Sequence, residues 1–202
     1  MDAANSLLEQ TMPDQAEDLR RDAQRLISRK DYLLKRLRLF ESAGIQAFKM
    51  RVHGNYHLGH VLRARNDFVA IDFEGDGSLP FPERRAKTSA LKDVAGMLRS
   101  LSYAAQVGLV RHTNRRAGEL QDVLGFARLW EGQTTSLFLK TYCEAITDAR
   151  LLPAGNDLHT LLEIFILERA FHELQYEINC RSQCIHIPLY GLLSILEGRS
   201  VD

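Results

Sequence analysis

Between residues 15 and 42, apolar side chains recur at alternating steps of three and four positions, which is the period of one face of an α-helix. Lys30 interrupts this face, and Gly44 follows its last member, as is typical of a helix C-terminus. A coiled-coil seam has a similar period, but the run is short and polar at its centre, so we predict one long helix that packs on its own domain. The apolar positions are Leu19, Ala23, Leu26, Leu33, Leu37 and Phe40.

After residue 45 the pattern changes to a period of two, which is typical of strands. Residues 48–53 ("FKMRVH") alternate in this way, and the turn signal "RND" separates the short apolar run "HVLRA" from a second β-rich run, "FVAIDFEG". We therefore predict a strand, a loop and a β-hairpin. The next segment, "DGSLPFPERRAK", contains Gly77, Pro80 and Pro82 and is predicted to be an irregular surface loop.

Helical periodicity returns after residue 88. Ser89 is a suitable N-cap for a helix over about residues 90–107, and a second helix is predicted over about residues 119–146. The segment "RLLPAGND" then breaks the pattern, a third helix starts near residue 158, and a short last helix spans residues 188–196. The predicted buried positions are Leu91, Val94, Leu98, Leu101 and Ala105 in the first of these helices and Ile164, Leu167, Phe171, Leu174 and Ile178 in the third.

This order of elements predicts an α+β fold that is mainly α-helical, with one small β element. We place a boundary at residue 44, between an N-terminal helical segment (1–44) and a larger domain (45–202). A chain of 202 residues with 45% hydrophobic and 26% charged residues has the composition of an ordinary soluble globular domain.

Charge and cysteine content narrow the partners and the compartment. Lys and Arg together number 26, as do Asp and Glu, so we predict neither nucleic acid nor a membrane surface as a partner. Three cysteines do not form a disulfide framework and fit a reducing compartment. The acidic start lacks the order of a secretory signal, and no apolar run approaches the roughly 20 residues of a membrane span. These features predict a cytoplasmic protein.

The segment "HGNYHLGHVL" and the hairpin after it have the spacing of a phosphotransferase active site. In kinases a catalytic-loop Asp lies five positions before a metal-ligating side chain, and a later hairpin supplies a metal-binding Asp. Asn55, His60 and Asp72 occupy those positions here. Glu74 lies two residues after Asp72, on the same face of a strand, and is a candidate ligand for a second ion or for a bridging water.

The same segment, followed by "IDFEG", "ERRAK" and "LKDVAGMLRSLSYAA", resembles the maltokinase family, including maltokinase domains fused to trehalose synthase. Near the C-terminus "LERAFHELQYEINCR" and "IPLYGLL" are also similar to the closing helices of that family. The resemblance covers roughly residues 45 to 196. It implies the C-terminal lobe of a protein-kinase-like fold, related to the aminoglycoside phosphotransferases, with a catalytic loop (51–62), a metal-binding hairpin (68–75) and a helical subdomain (88–198).

The activity implied by this resemblance is transfer of phosphate from ATP, with Mg²⁺, to maltose or a related α-glucoside, which gives ADP and maltose 1-phosphate. Asn55 stands where the family has its catalytic Asp, and His60 stands where the family usually has Gln. The implied roles are catalytic for Asn55 and His57, metal-binding for Asp72, His60 and Glu74, and loop-supporting for His53 and Asp93.

Side chains that could contact the substrate lie further along the chain. Arg84 and Arg85 either neutralise phosphate, hold the loop, or are solvated or salt-bridged surface residues. Trp130 is either a core residue, near Phe126 and Leu129, or a platform for the C–H face of a sugar. The remaining candidates, which flank an apolar stripe and carry groups that pair with hydroxyls, are Glu173, Tyr176 and Glu177.

Two departures from the family pattern bear on activity. The amide of Asn55 cannot accept a proton from the sugar hydroxyl, and the loss of general-base catalysis typically costs about 10²–10⁴-fold in rate. Mg²⁺ prefers oxygen ligands, so the imidazole of His60 is a poor replacement for an amide oxygen. Residues 1–44 also show one polar helix and no Gly-rich strand-turn-strand, so we expect a separate or upstream N-lobe, or a trehalose synthase, as a partner.

Three functions stay open at the level of sequence. The chain is a maltokinase lobe that works with a separately supplied N-lobe, a non-catalytic module that binds a sugar or a protein, or a fragment of a trehalose synthase–maltokinase fusion. Asn55 favours the second and third functions over the first.

Overall fold

The computed structural model describes residues 17–42, 44–113, 120–180 and 184–197. These residues are mainly α-helical and include one two-stranded antiparallel sheet, which confirms the predicted fold class. The chain divides into two compact units. We call Ile45–Ile166 the loop unit, and the described residues of Met1–Gly44 together with those of Leu167–Asp202 the terminal unit.

The sheet of the loop unit is the predicted hairpin. Strand β1 (Val61–Ala64) pairs with strand β2 (Asp67–Ala70), with Val61 opposite Ala70 and Ala64 opposite Asp67. Arg65 in the turn has a φ of 58°, a left-handed conformation that is uncommon for a residue with a Cβ.

The prediction of a strand at residues 48–53 is wrong. Of that run only Met50 forms a bridge, with two backbone hydrogen bonds to Thr88, and the segment is otherwise irregular. Alternation reports that successive side chains face opposite sides, but a strand also needs a neighbour along its length to pair with its backbone groups. Thr88 is such a neighbour for Met50 alone, and strands β1 and β2 pair with each other.

In the described part of the chain, four α-helices belong wholly or partly to the loop unit. The short helix α3 (Phe81–Arg84) lies inside the segment that was predicted to be an irregular loop, with Pro82 in its first turn. It is followed by α4 (Leu91–Thr113), α5 (Leu120–Ala145) and the first part of α6 (Asn156–Cys180), and a 3₁₀ turn (Ala149–Leu151) precedes α6.

Helix α4 is the centre of the core of this unit. Its N-terminus is capped as predicted, because the Ser89 hydroxyl accepts a hydrogen bond of 3.3 Å from the Leu91 N–H. Burial of one valine or leucine side chain contributes about 1.5–3 kcal/mol to the free energy of unfolding. All five α4 positions that were predicted to face inward, Leu91, Val94, Leu98, Leu101 and Ala105, are buried, and Ala95 and Leu162 join Leu91, Val94 and Leu98 in one cluster.

The terminal unit contains α1 (Glu17–Ser28), α2 (Lys30–Ser42), the rest of α6 and α7 (His186–Leu196). The single long helix predicted at the N-terminus is therefore two helices. They are separated at Arg29, whose N–H bonds to the carbonyl of Leu26, three residues back, at 3.0 Å. Helix α1 packs against α7, where Arg25 forms an ion pair with Glu197.

The apolar faces of the terminal unit follow the predicted period. Ala23, Leu26 and Leu33 are buried, and so are Leu167 and Leu174 of the stripe on α6. Phe40 lies outside the residues whose side chains are described. Helix α7 begins at His186, two residues earlier than predicted.

Helices α4, α5 and α6 each exceed 20 residues, which is enough length to cross a bilayer. Nevertheless, no helix among the described residues combines that length with the apolar content of a membrane span.

Candidate functional site

The loop of residues 51–62, which was predicted to be a catalytic loop, is attached to the first turn of α4 through Asp93. The Asp93 carboxylate accepts a hydrogen bond of 2.7 Å from the His53 N–H and one of 2.8 Å from the Gly54 N–H, one on each oxygen. Gly54 has a φ of 81°, which a residue without a Cβ adopts at little cost. Asp93 therefore sets the backbone conformation of the loop immediately before Asn55.

Burial raises the pKa of Asp93 above the ordinary range of an aspartate, because the charged form is poorly solvated there. The hydrogen bonds from the Gly54 and His53 amides oppose this shift but do not cancel it. The charged carboxylate is thus held in place by its geometry at some electrostatic cost.

We expect Asp93→Asn to lower the free energy of unfolding by about 1–3 kcal/mol at pH 5, because one amide oxygen cannot serve two N–H donors and its NH₂ group faces a donor. The raised pKa of Asp93 sets the sign of the pH dependence. The stability that this raised pKa contributes is fully present below about pH 4 and is lost as the pH rises through the folded-state pKa. The difference in unfolding free energy between wild type and variant should therefore narrow towards pH 7.5.

Urea unfolding at pH 5 and pH 7.5 measures this gap. The matched control is Glu144→Gln, an exposed carboxylate on α5 that faces Lys140 at 3.9 Å and should contribute less than about 0.5 kcal/mol. A gap that widens as the pH rises would contradict the assignment.

His53 joins the loop to the end of the hairpin. The side chain is buried, and its Nε2–H donates a hydrogen bond of 2.8 Å to the carbonyl of Ile71. Its ring also packs against Phe73, with the two ring centroids 4.9 Å apart, and against Tyr56 at 5.4 Å. The loop and the residues after β2 are therefore held together by one side chain.

His60 contacts both of the polar residues with which it was grouped in the sequence. Its Nδ1 lies 2.9 Å from the backbone carbonyl oxygen of Asn55, and its Nε2 lies 3.1 Å from Oδ2 of Asp72. Asp72 has a φ of 66°, a left-handed conformation that turns the chain sharply after β2. The fold thus brings Asn55, His60 and Asp72 together, as their spacing predicted.

His57 has a structural role in the same loop. Its Nδ1 accepts a hydrogen bond of 3.1 Å from the Gly59 N–H, and it caps the 3₁₀ turn Leu58–His60. Its ring lies against that of His60, with a centroid distance of 3.9 Å. These contacts fix the turn that carries His60, and a catalytic role for His57 stays a prediction.

The predicted metal ligands Asp72 and Glu74 do not share the face of a strand, because both follow β2, which ends at Ala70. Among the described residues, no group of three or more His, Cys, Asp or Glu side chains is placed to hold a metal ion. The Asp72 carboxylate faces an imidazole, and imidazole nitrogen is a poor ligand for Mg²⁺. As they are arranged, these residues do not fit Mg²⁺.

The face of α4 beneath the loop contributes two residues that the sequence reasoning missed. A Cβ added to Gly96 would lie 2.5 Å from the carbonyl oxygen of Tyr56, so the loop backbone rests directly on the helix. The Ser100 hydroxyl accepts a hydrogen bond of 3.0 Å from the Leu58 N–H. The signal was present in the sequence, since Asp93, Gly96 and Ser100 follow one another at steps of three and four and share one helix face.

A cavity of about 370 Å³ lies beside the loop, and its lining includes neither Asn55 nor Asp72. Burial raises the pKa of the Tyr142 hydroxyl on its wall, and the neighbouring Asp93 carboxylate adds to the shift. The polar and aromatic residues on its wall are Arg51, His53, Tyr56, Phe73, Asp93, Phe138 and Tyr142. The groups predicted to act in the reaction therefore lie outside this cavity.

The arginine candidates have local partners. The Arg84 Nε–H donates a hydrogen bond of 2.8 Å to the carbonyl of Leu79, and the Arg85 guanidinium lies over the Phe81 ring at 5.3 Å. Such contacts stabilise the loop that contains α3. A role for either arginine toward phosphate stays a prediction.

The interpretation of Trp130 as a core residue is wrong. Trp130 is 38% exposed on α5, and its apolar neighbours Phe126 and Leu129 are 69% and 58% exposed. The error arises because an apolar residue on a helix predicts burial only when another element covers that face. The alternative role as a sugar platform stays a prediction.

The other substrate candidates lie on α6, in the terminal unit. Glu173 faces Arg169 at 3.6 Å, Glu177 is buried, and Tyr176 is exposed. Their role toward a sugar stays a prediction.

No protein-family model matches the chain. Among curated proteins it is similar to a glucosamine kinase of Mycolicibacterium smegmatis (strain ATCC 700084 / mc(2)155), with 41% identity over 152 residues, which is 73% of this chain and 35% of that protein. It is also similar to a glucosamine kinase of Streptacidiphilus jiangxiensis, with 29% identity over 153 residues, or 75% of this chain and 32% of that protein. The chain thus spans about a third of the length of these relatives.

Solved structures extend the comparison to the fold. A glucosamine kinase in complex with glucosamine, ADP and inorganic phosphate matches 98% of this chain and 46% of its own length, with a TM-score of 0.68 and 20% identity. A second crystal form of a glucosamine kinase matches 96% of this chain and 44% of its own length, with a TM-score of 0.66 and 24% identity. The chain therefore has the kinase-like fold of part of a sugar kinase, and proteins named glucosamine kinase are among its homologues.

Proposed function

We propose that the chain is the acceptor-sugar half of an ATP-dependent sugar phosphotransferase. The observation that carries this proposal is the catalytic loop, which is attached to α4 through Asp93 and brings Asn55 and His60 to Asp72. Two homologues with the name glucosamine kinase support the reaction class. Since those relatives are about three times as long as the matched part, the ATP-binding elements are expected from another part of the protein or from a partner.

The acceptor is a hexose or a small glucoside. The names of the relatives favour glucosamine, whereas the loop and C-terminal motifs resemble those of maltokinases, which act on maltose. Both sugars present a hydroxyl to the loop and a C–H face to an aromatic ring, so the loop alone does not distinguish them.

In this mechanism Asn55 positions the acceptor hydroxyl and does not remove its proton. An amide oxygen accepts a hydrogen bond from a hydroxyl, but a neutral amide has no basicity to complete the transfer. Phosphoryl transfer depends mainly on positioning and charge stabilisation, so a loop of this shape can still bind the acceptor productively. The proton then leaves to water, at a cost in rate.

A second candidate, sugar binding without turnover, is favoured by Asn55 itself. Replacement of a general base by its amide preserves shape and hydrogen bonding but removes the proton acceptor. The chain would then hold a sugar at the loop and transfer nothing.

A hybrid protein separates the two candidates. The full chain replaces the matched segment of the M. smegmatis glucosamine kinase, and ADP formation is measured with glucosamine, maltose and no sugar. We expect only slow sugar-dependent ADP formation, because Asn55 accepts no proton and His60 contacts Asp72, and we expect it to be lost on Asp93→Ala, with one sugar preferred. Calorimetric binding of a sugar without ADP formation would support the binding module, and neither binding nor turnover with either sugar would exclude both candidates.

A further inference from the structure

We infer that His60 stands in place of a divalent cation: it satisfies Asp72 from within the chain, so that the loop does not take up Mg²⁺. The inference rests on the proposed function only in that it concerns the same loop. Its test measures ion uptake and needs no sugar or nucleotide.

Both ring nitrogens of His60 lie against acceptor oxygens. The carbonyl oxygen of Asn55 is an acceptor only, so Nδ1, at 2.9 Å, must carry a hydrogen. Nε2 lies 3.1 Å from Oδ2 of Asp72, and a carboxylate is likewise an acceptor. Oδ2 of Asp72 is therefore in contact with a ring of its own chain. A cation that binds this oxygen must displace the imidazole from it.

The imidazole of His60 is held in place by neighbouring rings and by its own backbone. The His60 side chain is 16% exposed, and its ring contacts that of His57, at a centroid distance of 3.9 Å, and lies nearly parallel to that of His53, at 5.5 Å. Its backbone is held at both ends, because the His60 N–H donates to the His57 carbonyl at 2.9 Å and the Ile71 N–H donates to the His60 carbonyl at 3.0 Å. The ring is positioned for Asp72 before any ligand arrives.

The coordination preference of Mg²⁺ also disfavours this site. Mg²⁺ requires near-octahedral oxygen coordination and gives up its waters reluctantly, so one carboxylate that is already engaged is a weak site. The described residues contain no third His, Cys, Asp or Glu that converges on Asp72 and His60. A glutamine at position 60 would replace the imidazole with an amide oxygen, which is a Mg²⁺ ligand, and would release the carboxylate of Asp72.

The experiment is a titration of the full chain with Mn²⁺, a substitute for Mg²⁺, followed by calorimetry and by the shift of the melting temperature. We expect no saturable Mn²⁺ binding by wild type at low millimolar concentration. We expect His60→Gln to bind at least about tenfold more tightly, and His60→Gln/Asp72→Asn to lose that gain. His159→Gln, the same substitution at an exposed position of α6, is the control and should behave as wild type.

Wild-type binding of Mn²⁺ within about threefold of His60→Gln, abolished by Asp72→Asn, would overturn the inference. If His60→Gln does not fold, wild type and Asp72→Asn still decide: equal absence of binding supports the inference, and binding lost only in Asp72→Asn refutes it. These outcomes are independent of sugar phosphorylation, since a hybrid without turnover does not change the Mn²⁺ isotherm.

Discussion

Asn55→Asp is expected to raise sugar-dependent turnover by about 10²–10⁴-fold when it is added to His60→Gln in the hybrid protein, because it restores a proton acceptor at the acceptor hydroxyl. The substitution is made in the His60→Gln hybrid because the wild-type sequence has a second deficit. With His60 on Asp72 the charge stabilisation of the transferred phosphoryl group is limited, and the missing base would not be the only deficit. In the His60→Gln hybrid, the difference between Asn and Asp at position 55 reports the base alone.

The effect should appear in kcat more than in KM. Both side chains hold the sugar hydroxyl through an oxygen, whereas only the carboxylate accepts its proton in the transition state. Initial rates of ADP formation over a range of sugar concentrations separate the two parameters.

Asn66→Asp is the matched control. Asn66 is an exposed residue in the turn between β1 and β2, so the same chemical change there adds a charge without touching the acceptor. An equal response of kcat to both substitutions, or no response to Asn55→Asp, would exclude Asn55 as the residue at the position of the base.

Gly96→Ala is expected to destabilise the loop unit by about 1–3 kcal/mol, the range for overpacking a well-packed site. The new Cβ would lie 2.5 Å from the Tyr56 carbonyl oxygen, and backbone atoms cannot rotate away as a side chain would. The loop must then lift from α4. The bonds that flank this contact, from His53 and Gly54 to Asp93 and from Leu58 to Ser100, are the first to lengthen.

Two measurements check this expectation. Urea unfolding gives the free-energy change, and hydrogen exchange should show faster exchange of the His53, Gly54 and Leu58 amides than in wild type.

Gly108→Ala is a control on the same helix. Nothing lies within 4 Å of a Cβ at position 108, so the better helix propensity of Ala should stabilise the chain by about 0.5–1 kcal/mol. If Gly96→Ala proved as stable as Gly108→Ala, the close approach of the loop to α4 would be refuted.

The positions of the main elements could be predicted because their causes are local. The period of α4, its Ser89 cap and the turn between β1 and β2 depend on residues a few positions apart, and each was found where it was predicted. Predictions failed where a distant partner decides the outcome. Residues 48–53 alternate but find a partner only at Thr88, and Trp130 is apolar but lies on a helix face that remains exposed.

The candidate site, like the fold, could be predicted only in part. The spacing of Asn55, His60 and Asp72 indicated that they belong together, and the resemblance to maltokinases implied that Asp93 supports the loop. Spacing could not tell which atom of His60 faces which acceptor. It also could not show that Asp72 is occupied by an imidazole, or that Glu74 does not join them in a metal site.

By itself the sequence determined a mainly helical fold with one hairpin, because helix period, capping and turn chemistry act over a few residues. A loop of kinase type was predicted from motif spacing and from the resemblance to maltokinases. Only the tertiary structure decided how that loop is held: by Asp93 and Ser100 on one face of α4, with Gly96 leaving room for the Tyr56 carbonyl. It also decided that His60 contacts Asp72. These contacts join residues up to 42 positions apart. No local sequence pattern predicts them, because packing is what places such residues side by side.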